Sequence, residues 1–348
     1  MPDRVPFEMK FSPAIDEVFR EHTGAENPAD YFGYDIRSVS TEDPINIVTK
    51  SGNKPLERYV RYLPADLPSN TQYFEWGFAR IPGSMYHFSK IVHPMQHFST
   101  PKEVEDYPLP LEMLSHERSD KVAQEVHAYH KRGLAVAAAM EMTIFELSWY
   151  LRGMEELLID LYTNSPLAQA LLDKITDFRC RMGAMYVKAG VDIVKLGDDV
   201  GTQKAMLMSP EMWRTWLKPR LRKVIETLKS ANPDILVFYH SDGYIEPIIP
   251  ELIEIGVDIL NPLQPECLDQ ASIKQKFGDR LAFWGGIGTQ TIMPWGTPQE
   301  VKDTVRQTIE VLGSGGGFLI APTHVLEPEV PWENIMAFVE AVQEYGWY

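Results

Sequence analysis

The chain has 348 residues, of which 44% are hydrophobic and 24% are charged, a composition typical of a globular protein and not of a disordered chain. Its 49 acidic and 33 basic residues give a formal net charge of −16, which opposes binding to nucleic acid or to an anionic membrane surface. Cys180 and Cys267 have no metal-finger spacing, and no run of about 18 apolar residues occurs. We therefore expect a cytoplasmic protein.

Residues 1–133 have an irregular pattern, because Pro, Asn and aromatic residues interrupt the periodicity. We predict strands near 45–49 and 72–78 in this part, long loops, and a helix at 118–132. From residue 134 onward, apolar runs alternate with amphipathic stretches, which is the pattern of β-α-β units. The apolar runs predict six strands, at residues 134–140, 191–197, 235–240, 257–261, 281–287 and 317–322.

The amphipathic stretches predict helices at residues 144–162, 166–189, 209–230, 245–256, 268–277, 297–312 and 331–345. Ser209 and Thr297 each precede a proline, a common start of a helix. An open doubly wound sheet is the alternative fold, but no glycine-rich phosphate turn follows an early strand. We predict an α/β fold in which residues 1–348 form a single (β/α)8 TIM barrel, with an extended N-terminal region and long loops over the barrel mouth.

Polar side chains follow the carboxyl ends of the predicted strands, where the active sites of (β/α)8 barrels lie. His240 ends one strand and Asp242 follows it by two residues, so both side chains point to the same side of an extended backbone. His324 follows the last strand. His240, Asp242 and His324 are therefore candidate ligands of a divalent metal, and a structural hydrogen-bonding role is the alternative for each histidine.

Other polar residues at the same ends are candidates for catalysis or substrate binding. Asp198 and Asp199 follow the strand at 191–197 and could hold a cation or act as a base; with His324 they are candidates for proton transfer. Helix capping is the alternative for one of the two aspartates. The candidate substrate-binding residues are Trp149, Tyr150, Gln203, Asn261, Gln264 and Gln290.

Several segments, in order along the chain, resemble the uroporphyrinogen decarboxylase superfamily, which includes the decarboxylase of haem biosynthesis and cobalamin-dependent methyltransferases. They include HPMQHFSTPKEVEDYPLP, AGVDIVKLGDDVGTQKAMLMSPEMW, FYHSDGYIEPIIPELIEIGVDILNPLQ and GGGFLIAPTHVLEPEVPWENI. The resemblance implies a (β/α)8 barrel. The arginine motif of the true decarboxylases is matched only partly, by RYVRYLPAD at 58–66, so the chain is closer to the methyltransferase-like branch.

The methyltransferases of this superfamily hold zinc with an HxC pair and a distant cysteine. On that pattern His240 takes the histidine position, Asp242 the first cysteine position and His324 the second. This departs from the family in both sulfur ligands. The resulting nitrogen and oxygen ligands form a harder site, which is better suited to an oxygen-bearing substrate.

The resemblance implies a metal-dependent methyltransferase-type enzyme that moves a methyl group between a corrinoid and a small substrate, O-demethylation included. It implies a divalent metal, zinc first, and methylcobalamin as methyl donor or acceptor. The partners would be a small-molecule substrate, a separate corrinoid protein and a second copy in a homodimer, with neither nucleic acid nor membrane. The alternatives are a metal-independent decarboxylase or lyase acting on a small or tetrapyrrole carboxylate, and a non-catalytic carrier of corrinoid or tetrapyrrole.

Overall fold

The computed structural model describes residues 3–41, 54–83 and 89–348. Its strands in chain order are β1 (Ile36–Val39), β2 (Gln72–Tyr73), β3 (Ala79–Pro82), β4 (Ser89–Val92), β5 (Ala135–Ala139), β6 (Ile193–Gly197), β7 (Leu236–His240), β8 (Ile259–Asn261), β9 (Ala282–Ile287) and β10 (Phe318–Pro322). Strands β1 and β5 to β10 form a curled seven-stranded sheet in that order, and all its pairs are parallel. Strands β2, β3 and β4 form a separate antiparallel sheet.

Helices connect the parallel strands and pack on the outside of the sheet. They are α1 (Pro13–Thr23), α2 (Pro28–Tyr31), α3 (Pro101–Asp106), α4 (His116–His130), α5 (Phe145–Arg152), α6 (Met154–Tyr162), α7 (Pro166–Ala189), α8 (Pro210–Trp216), α9 (Lys218–Ala231), α10 (Ile249–Glu254), α11 (Gln270–Phe277), α12 (Ile292–Trp295), α13 (Pro298–Leu312) and α14 (Trp332–Tyr345). In the described part of the chain, none of the helices has the length and apolar character needed to cross a membrane.

An extended segment near the N-terminus fills the gap between β10 and β1. Phe7 forms a parallel bridge with Ile320 of β10, and the Ile320 N–H donates to the Pro6 carbonyl at 3.0 Å. The Phe7 ring lies 5.3 Å, between centroids, from the ring of Tyr34, two residues before β1. Residues 5–11, called the closing segment below, therefore take the place of an eighth strand.

The parallel sheet has an inner and an outer apolar face. One inward-facing side chain from each parallel strand contributes to an inner cluster formed by Ile36, Ala137, Ile193, Phe238, Ile259, Trp284 and Ala321. The outer face packs against the helices in a much larger core that includes Val194 and Val237. The middle of the barrel is thus a packed core and not a pore, as in other barrels of this type.

The predicted barrel is confirmed, and the six strands predicted from residue 134 onward are observed as β5 to β10. The predicted helix starts at Ser209 and Thr297 are also confirmed, because each hydroxyl accepts a backbone N–H of the following helix. The helix predicted at 144–162 is two helices, separated at Gly153, where φ is +98°. The helix predicted at 209–230 is likewise divided, into α8 and α9.

The first third of the chain differs from the prediction. Residues 72–78 contain β2, but this strand belongs to the small antiparallel sheet and is not part of the barrel; residues 45–49 lie outside the described residues. The first barrel strand, β1, was not predicted, since Arg37 interrupts its short apolar run. The structure buries this guanidinium because it donates to the Tyr34 carbonyl and to the Asp30 carboxylate.

Replacing Phe7 with Ala should destabilise the protein, because the ring is 3% exposed and contacts Tyr34 and Phe338. Removing a buried Phe side chain costs roughly 3–5 kcal/mol. We expect a clear fall in the midpoint of urea unfolding, followed by circular dichroism. The control Tyr162→Ala removes a ring that is 78% exposed and should leave the midpoint nearly unchanged. Equal midpoints for the two variants would contradict the structural role of the closing segment.

Candidate active site

A polar cavity of about 380 Å³ lies at the carboxyl ends of the parallel strands. Its wall is formed by the closing segment and by residues in or just after strands β5 to β10. The rings of Phe238 and Trp284, from the inner cluster, close it from below. The cavity therefore occupies the position that holds the active site in (β/α)8 barrels.

The register of the sheet brings the ends of β6, β7 and β8 side by side. Gly197, His240 and Asn261 lie next to one another on these three strands. A Cβ atom at position 197 would lie 2.6 Å from the Cβ of His240, so only glycine leaves room for the histidine backbone. Asp199 and Asp242 each follow their strand by two residues, so both lie near His240.

The loops after β6 and β7 are held together by backbone contacts. The Tyr244 N–H donates to the Thr202 carbonyl at 2.8 Å. A Cβ atom at Gly201 would lie 2.5 Å from the Asp242 carbonyl oxygen, which shows how closely the two loops approach. The Asp242 N–H also donates to Asp199 Oδ1 at 2.8 Å. This packing fixes the two carboxylates beside each other.

Asp199, His240 and Asp242, the rim cluster, each present a ligand atom within 4.8 Å of the other two. His240 Nε2 lies 3.5 Å from Asp199 Oδ1 and 3.9 Å from Asp242 Oδ1. The three side chains are between 22% and 39% exposed, and Asp199 and His240 line the cavity. One imidazole nitrogen and two carboxylate oxygens that converge in this way suit a divalent metal such as zinc.

Asn261 sets the orientation of the His240 ring. The Asn261 amide nitrogen donates to the Trp284 carbonyl at 2.8 Å, so its Oδ1 is left as the acceptor for His240 Nδ1 at 2.6 Å. Nδ1 therefore carries the proton, and in the neutral ring the lone pair of Nε2 faces Asp199 and Asp242. Metal-binding histidines are commonly held in this way by a hydrogen bond from the other ring nitrogen.

The carboxyl groups around the rim cluster repel one another. Burial raises the pKa of Asp242, and the Asp199 charge adds to this while His240 opposes it. Burial, followed by the charges of Asp199 and Asp198, raises the pKa of Glu146 well above its ordinary value. Glu146 is adjacent to the cluster, since its Oε2 accepts the Asp199 N–H at 3.2 Å. A cation bound among these groups would reduce their repulsion, which fits a metal at this position.

Asp198 is placed differently from its neighbour. Its carboxylate is buried and accepts the backbone N–H groups of Ile144 and Glu146 at the start of α5. Burial raises the pKa of Asp198 to about 7, although these hydrogen bonds act in the opposite direction. Asp198 thus caps the start of α5, which is the alternative considered from the sequence. Asp199, in contrast, lines the cavity.

The other predicted site residues differ in where they lie relative to the cavity. His324 lines the cavity, but its side chain is exposed. Among the described residues, the rim cluster does not include His324. Tyr150 also lines the cavity, and burial raises its pKa to about 12. Trp149 stacks on Tyr150, with centroids 3.9 Å apart. Gln264 is buried behind the loop after β7, where it accepts the Gly243 N–H at 3.1 Å.

Gln203 and Gln290 are both exposed. Gln203 Oε1 accepts a hydrogen bond from Cys267 Sγ at 3.2 Å. In the described part of the chain, neither glutamine is among the residues that line the cavity. A role for these two side chains in substrate binding stays a prediction.

Sequence reasoning did not select several charged residues of the cavity: Glu8, Lys10, Glu141, Glu146 and Lys195. Glu8 and Lys10 alternate with Phe7, Met9 and Phe11, a period-two pattern that indicates an extended segment with two different faces. This pattern was the available signal for the closing segment. The signal for Lys195 was a lysine inside an apolar run, because lysine is rarely buried without a partner.

The fold and the cavity define a TIM-barrel-like α/β protein with a polar site at the carboxyl ends of its strands. Residues 89–345 match the family model described as uroporphyrinogen decarboxylase (URO-D), and the chain belongs to this family. The resemblance inferred from the sequence is thereby confirmed.

Curated relatives include proteins with two different activities. The methylcobamide:CoM methyltransferase MtaA of Methanosarcina barkeri is 29% identical over 183 residues, which are 52% of this chain and 50% of that protein. A uroporphyrinogen decarboxylase of Coxiella burnetii is 25% identical over 192 residues, 53% of this chain and 50% of that protein. The chain thus spans about half the length of the curated relatives it matches.

A solved structure described as a methyltransferase from Methanosarcina mazei has the same fold. The TM-score is 0.66 at 18% sequence identity, and the match covers 99% of this chain and 95% of the other. The likeness confirms the architecture along nearly the whole chain.

Asp198→Ala should destabilise the protein, because it leaves the buried N–H groups of Ile144 and Glu146 without their acceptor. An unsatisfied buried group costs about 1–3 kcal/mol. Asp199→Ala should cost less, since the Asp199 side chain is 39% exposed. Thermal unfolding of both variants in the presence of a chelator measures the difference. An equal loss of stability in the two variants would contradict the distinction between the neighbouring aspartates.

Proposed function

We propose that the protein is a metal-dependent methyltransferase-type enzyme that moves a methyl group between a corrinoid and a small substrate. The main support is the convergence of Asp199, His240 and Asp242 at one end of the cavity, with Nε2 of His240 directed by Asn261. The partial match to the Methanosarcina barkeri methyltransferase supports the class of reaction. Members of the family are enzymes of more than one type, and the geometry of the site supports the metal-dependent type.

The rim cluster would hold a divalent metal, with zinc as the first candidate. Imidazole nitrogen and carboxylate oxygen are both good zinc ligands, and three protein ligands leave a position open for substrate. His324, on the wall of the same cavity, is the further candidate ligand. Zinc bound there would supply Lewis-acid chemistry, either lowering the pKa of a methyl acceptor or polarising an ether oxygen.

The residues of the chain would orient the substrate and handle its proton. An ether oxygen that loses a methyl group must gain a proton, and an acceptor that gains a methyl group must release one. His324 and Asp199 line the cavity and are the candidates for this transfer, Asp199 through the carboxylate oxygen that does not bind the metal. The rings of Tyr150, Phe238 and Trp284 provide an apolar wall for the body of the substrate.

The size of the cavity indicates whether a whole corrinoid can bind inside it. About 380 Å³ is near the lower end of the usual range for ligand pockets, which suits a small substrate and not a whole corrinoid. The chain also has no DxHxxG corrinoid-carrying motif. We propose that methylcobalamin, free or on a separate corrinoid protein, approaches the mouth of the barrel, and that O-demethylation of a methoxylated compound is one form of the reaction. The small cavity disfavours a non-catalytic carrier of corrinoid or tetrapyrrole.

A metal-independent decarboxylase or lyase is the second candidate. The match to the Coxiella burnetii decarboxylase favours it. In such a reaction Asp199 or His324 would donate the proton that replaces the lost carboxyl group. A small carboxylate is the substrate that fits the cavity volume.

Methyl transfer should depend on a bound metal and on His240. The assay incubates the protein with methylcobalamin and a panel of thiols and phenols, or with cob(I)alamin and methoxylated acids, and follows the visible absorbance of the corrinoid. We expect chelation to abolish transfer and His240→Ala to reduce it by more than roughly 100-fold, since even outer-shell changes at metal sites cost 10- to 100-fold.

The matched control is His130→Ala. His130 also lies beside a carboxylate, with Nε2 2.8 Å from Asp192 Oδ2, but at the amino end of β5, away from the cavity. This variant should retain its metal and its activity. Transfer at an undiminished rate by metal-free protein would contradict the proposed function. Decarboxylation by metal-free protein, with no change in the corrinoid, would establish the second candidate instead.

A further inference from the structure

The floor of the cavity carries a group of charges that the proposed metal chemistry does not use. This floor cluster consists of Glu8 and Lys10 of the closing segment, Glu141 just after β5, and Lys195 of β6. Lys195 is 1% exposed. A lysine is almost never buried to this extent unless its charge is paired.

Both ammonium groups lie beside the same carboxylate, at distances longer than a normal ammonium–carboxylate hydrogen bond. Lys195 Nζ is 3.5 Å and Lys10 Nζ is 3.8 Å from Glu141 Oε1. An ammonium–carboxylate hydrogen bond is normally about 2.7–2.9 Å long. Lys195 Nζ also lies 5.1 and 5.0 Å from the ring centroids of Phe238 and Trp284, so cation–π contacts hold it in place.

The two carboxylates of the floor cluster, Glu8 and Glu141, each face a neighbouring donor. Trp284 Nε1 donates to Glu8 Oε1 at 3.1 Å, and Glu141 faces both lysines. Burial alone would raise the pKa of Glu141, but the charges of Lys195 and Lys10 outweigh it and lower the pKa. Each ammonium group carries three N–H donors and makes only a long contact with Glu141, so donors are left for a ligand. A ligand group bound to these donors must present acceptors.

The two lysines also repel each other. The charge of Lys195, followed by burial, lowers the pKa of Lys10. The Lys10 side chain is 51% exposed and lines the cavity, so a ligand can reach it. A negative group between the two ammonium groups would reduce their repulsion. Because Glu8 and Glu141 already offset the charge of the two lysines, the site does not suit a phosphate dianion; a carboxylate carries one charge and would bind chiefly through hydrogen bonds from the ammonium groups.

We infer that the floor cluster binds the carboxylate of the substrate between Lys10 and Lys195. The assignment rests on the proposed function, because it takes this cavity to be the substrate site. It narrows the substrate to a small methylated or methoxylated carboxylic acid whose methyl group lies toward the rim cluster. The rings of Tyr150, Phe238 and Trp284 suit a flat apolar body between the two ends.

The experiment measures the binding of 4-methoxybenzoate, methoxyacetate and uncharged methoxybenzene to metal-free protein by isothermal titration calorimetry. Chelator-treated protein is used so that the result is independent of metal binding. At least one of the carboxylates should bind the wild type, and Lys10→Met should weaken its binding by about 10-fold or more, because a charged hydrogen bond is lost. Methoxybenzene should bind weakly and be unaffected by the variant.

Two further variants act as controls. Lys223→Met changes the net charge equally, but Lys223 lies on the surface of α9 with its side chain 59% exposed, so binding should be unchanged. Lys10→Arg keeps the positive charge and should restore most of the affinity. Thermal unfolding of each variant checks that it is folded.

The inference is overturned if neither carboxylate binds the wild type, or if Lys10→Met and Lys223→Met bind it equally well. Its failure is distinguishable from failure of the proposed function. Loss of carboxylate binding with metal-dependent methyl transfer intact refutes the substrate class alone. Carboxylate binding that depends on Lys10, in a protein without metal-dependent transfer, refutes the proposed function alone.

Discussion

The pairing of the closing segment with β10 is the constraint on which the rest of the structure depends. Seven parallel strands leave one gap in the curled sheet, and the bridge between Phe7 and Ile320 fills it. Side chains alternate across an extended backbone, so Phe7 packs in the outer core while Glu8 and Lys10 face the cavity. One short segment thus completes the barrel and supplies two of the charges at the floor of the site.

Trp284 connects the two halves of the cavity. Its carbonyl accepts the Asn261 amide, which orients His240 in the rim cluster, and its indole N–H donates to Glu8 in the floor cluster. Its ring also packs over the ammonium group of Lys195. One residue of β9 therefore supports both the end of the cavity where carboxylates converge, which suits a metal, and the end with two ammonium groups, which suits an anion. The opposite chemistry of the two ends gives a bound substrate one preferred direction.

The sequence predicted the parts of the fold that have long apolar runs, namely β5 to β10, and hence the end of the barrel where polar residues gather. It was not able to distinguish Asp198 from Asp199, because neighbouring residues after a strand point in different directions and the loop conformation decides which faces the cavity. Residue spacing along the chain also does not give the distances between side chains on different strands. The sequence therefore did not indicate that Asp199, and not His324, joins His240 and Asp242 in the rim cluster. Glu8 and Lys10 were not predicted as site residues because the first third of the chain has few long periodic runs.

Binding of a metal by the nitrogen and oxygen ligands of Asp199, His240 and Asp242 is tested most directly by X-ray absorption at the zinc edge of zinc-loaded protein. We expect about one zinc per chain with only nitrogen and oxygen neighbours at about 2.0–2.2 Å. A sulfur neighbour at about 2.3 Å would contradict it and implicate a cysteine such as Cys267, which lies beside the loop after β6 through its contact with Gln203. Failure to retain zinc would contradict it as well.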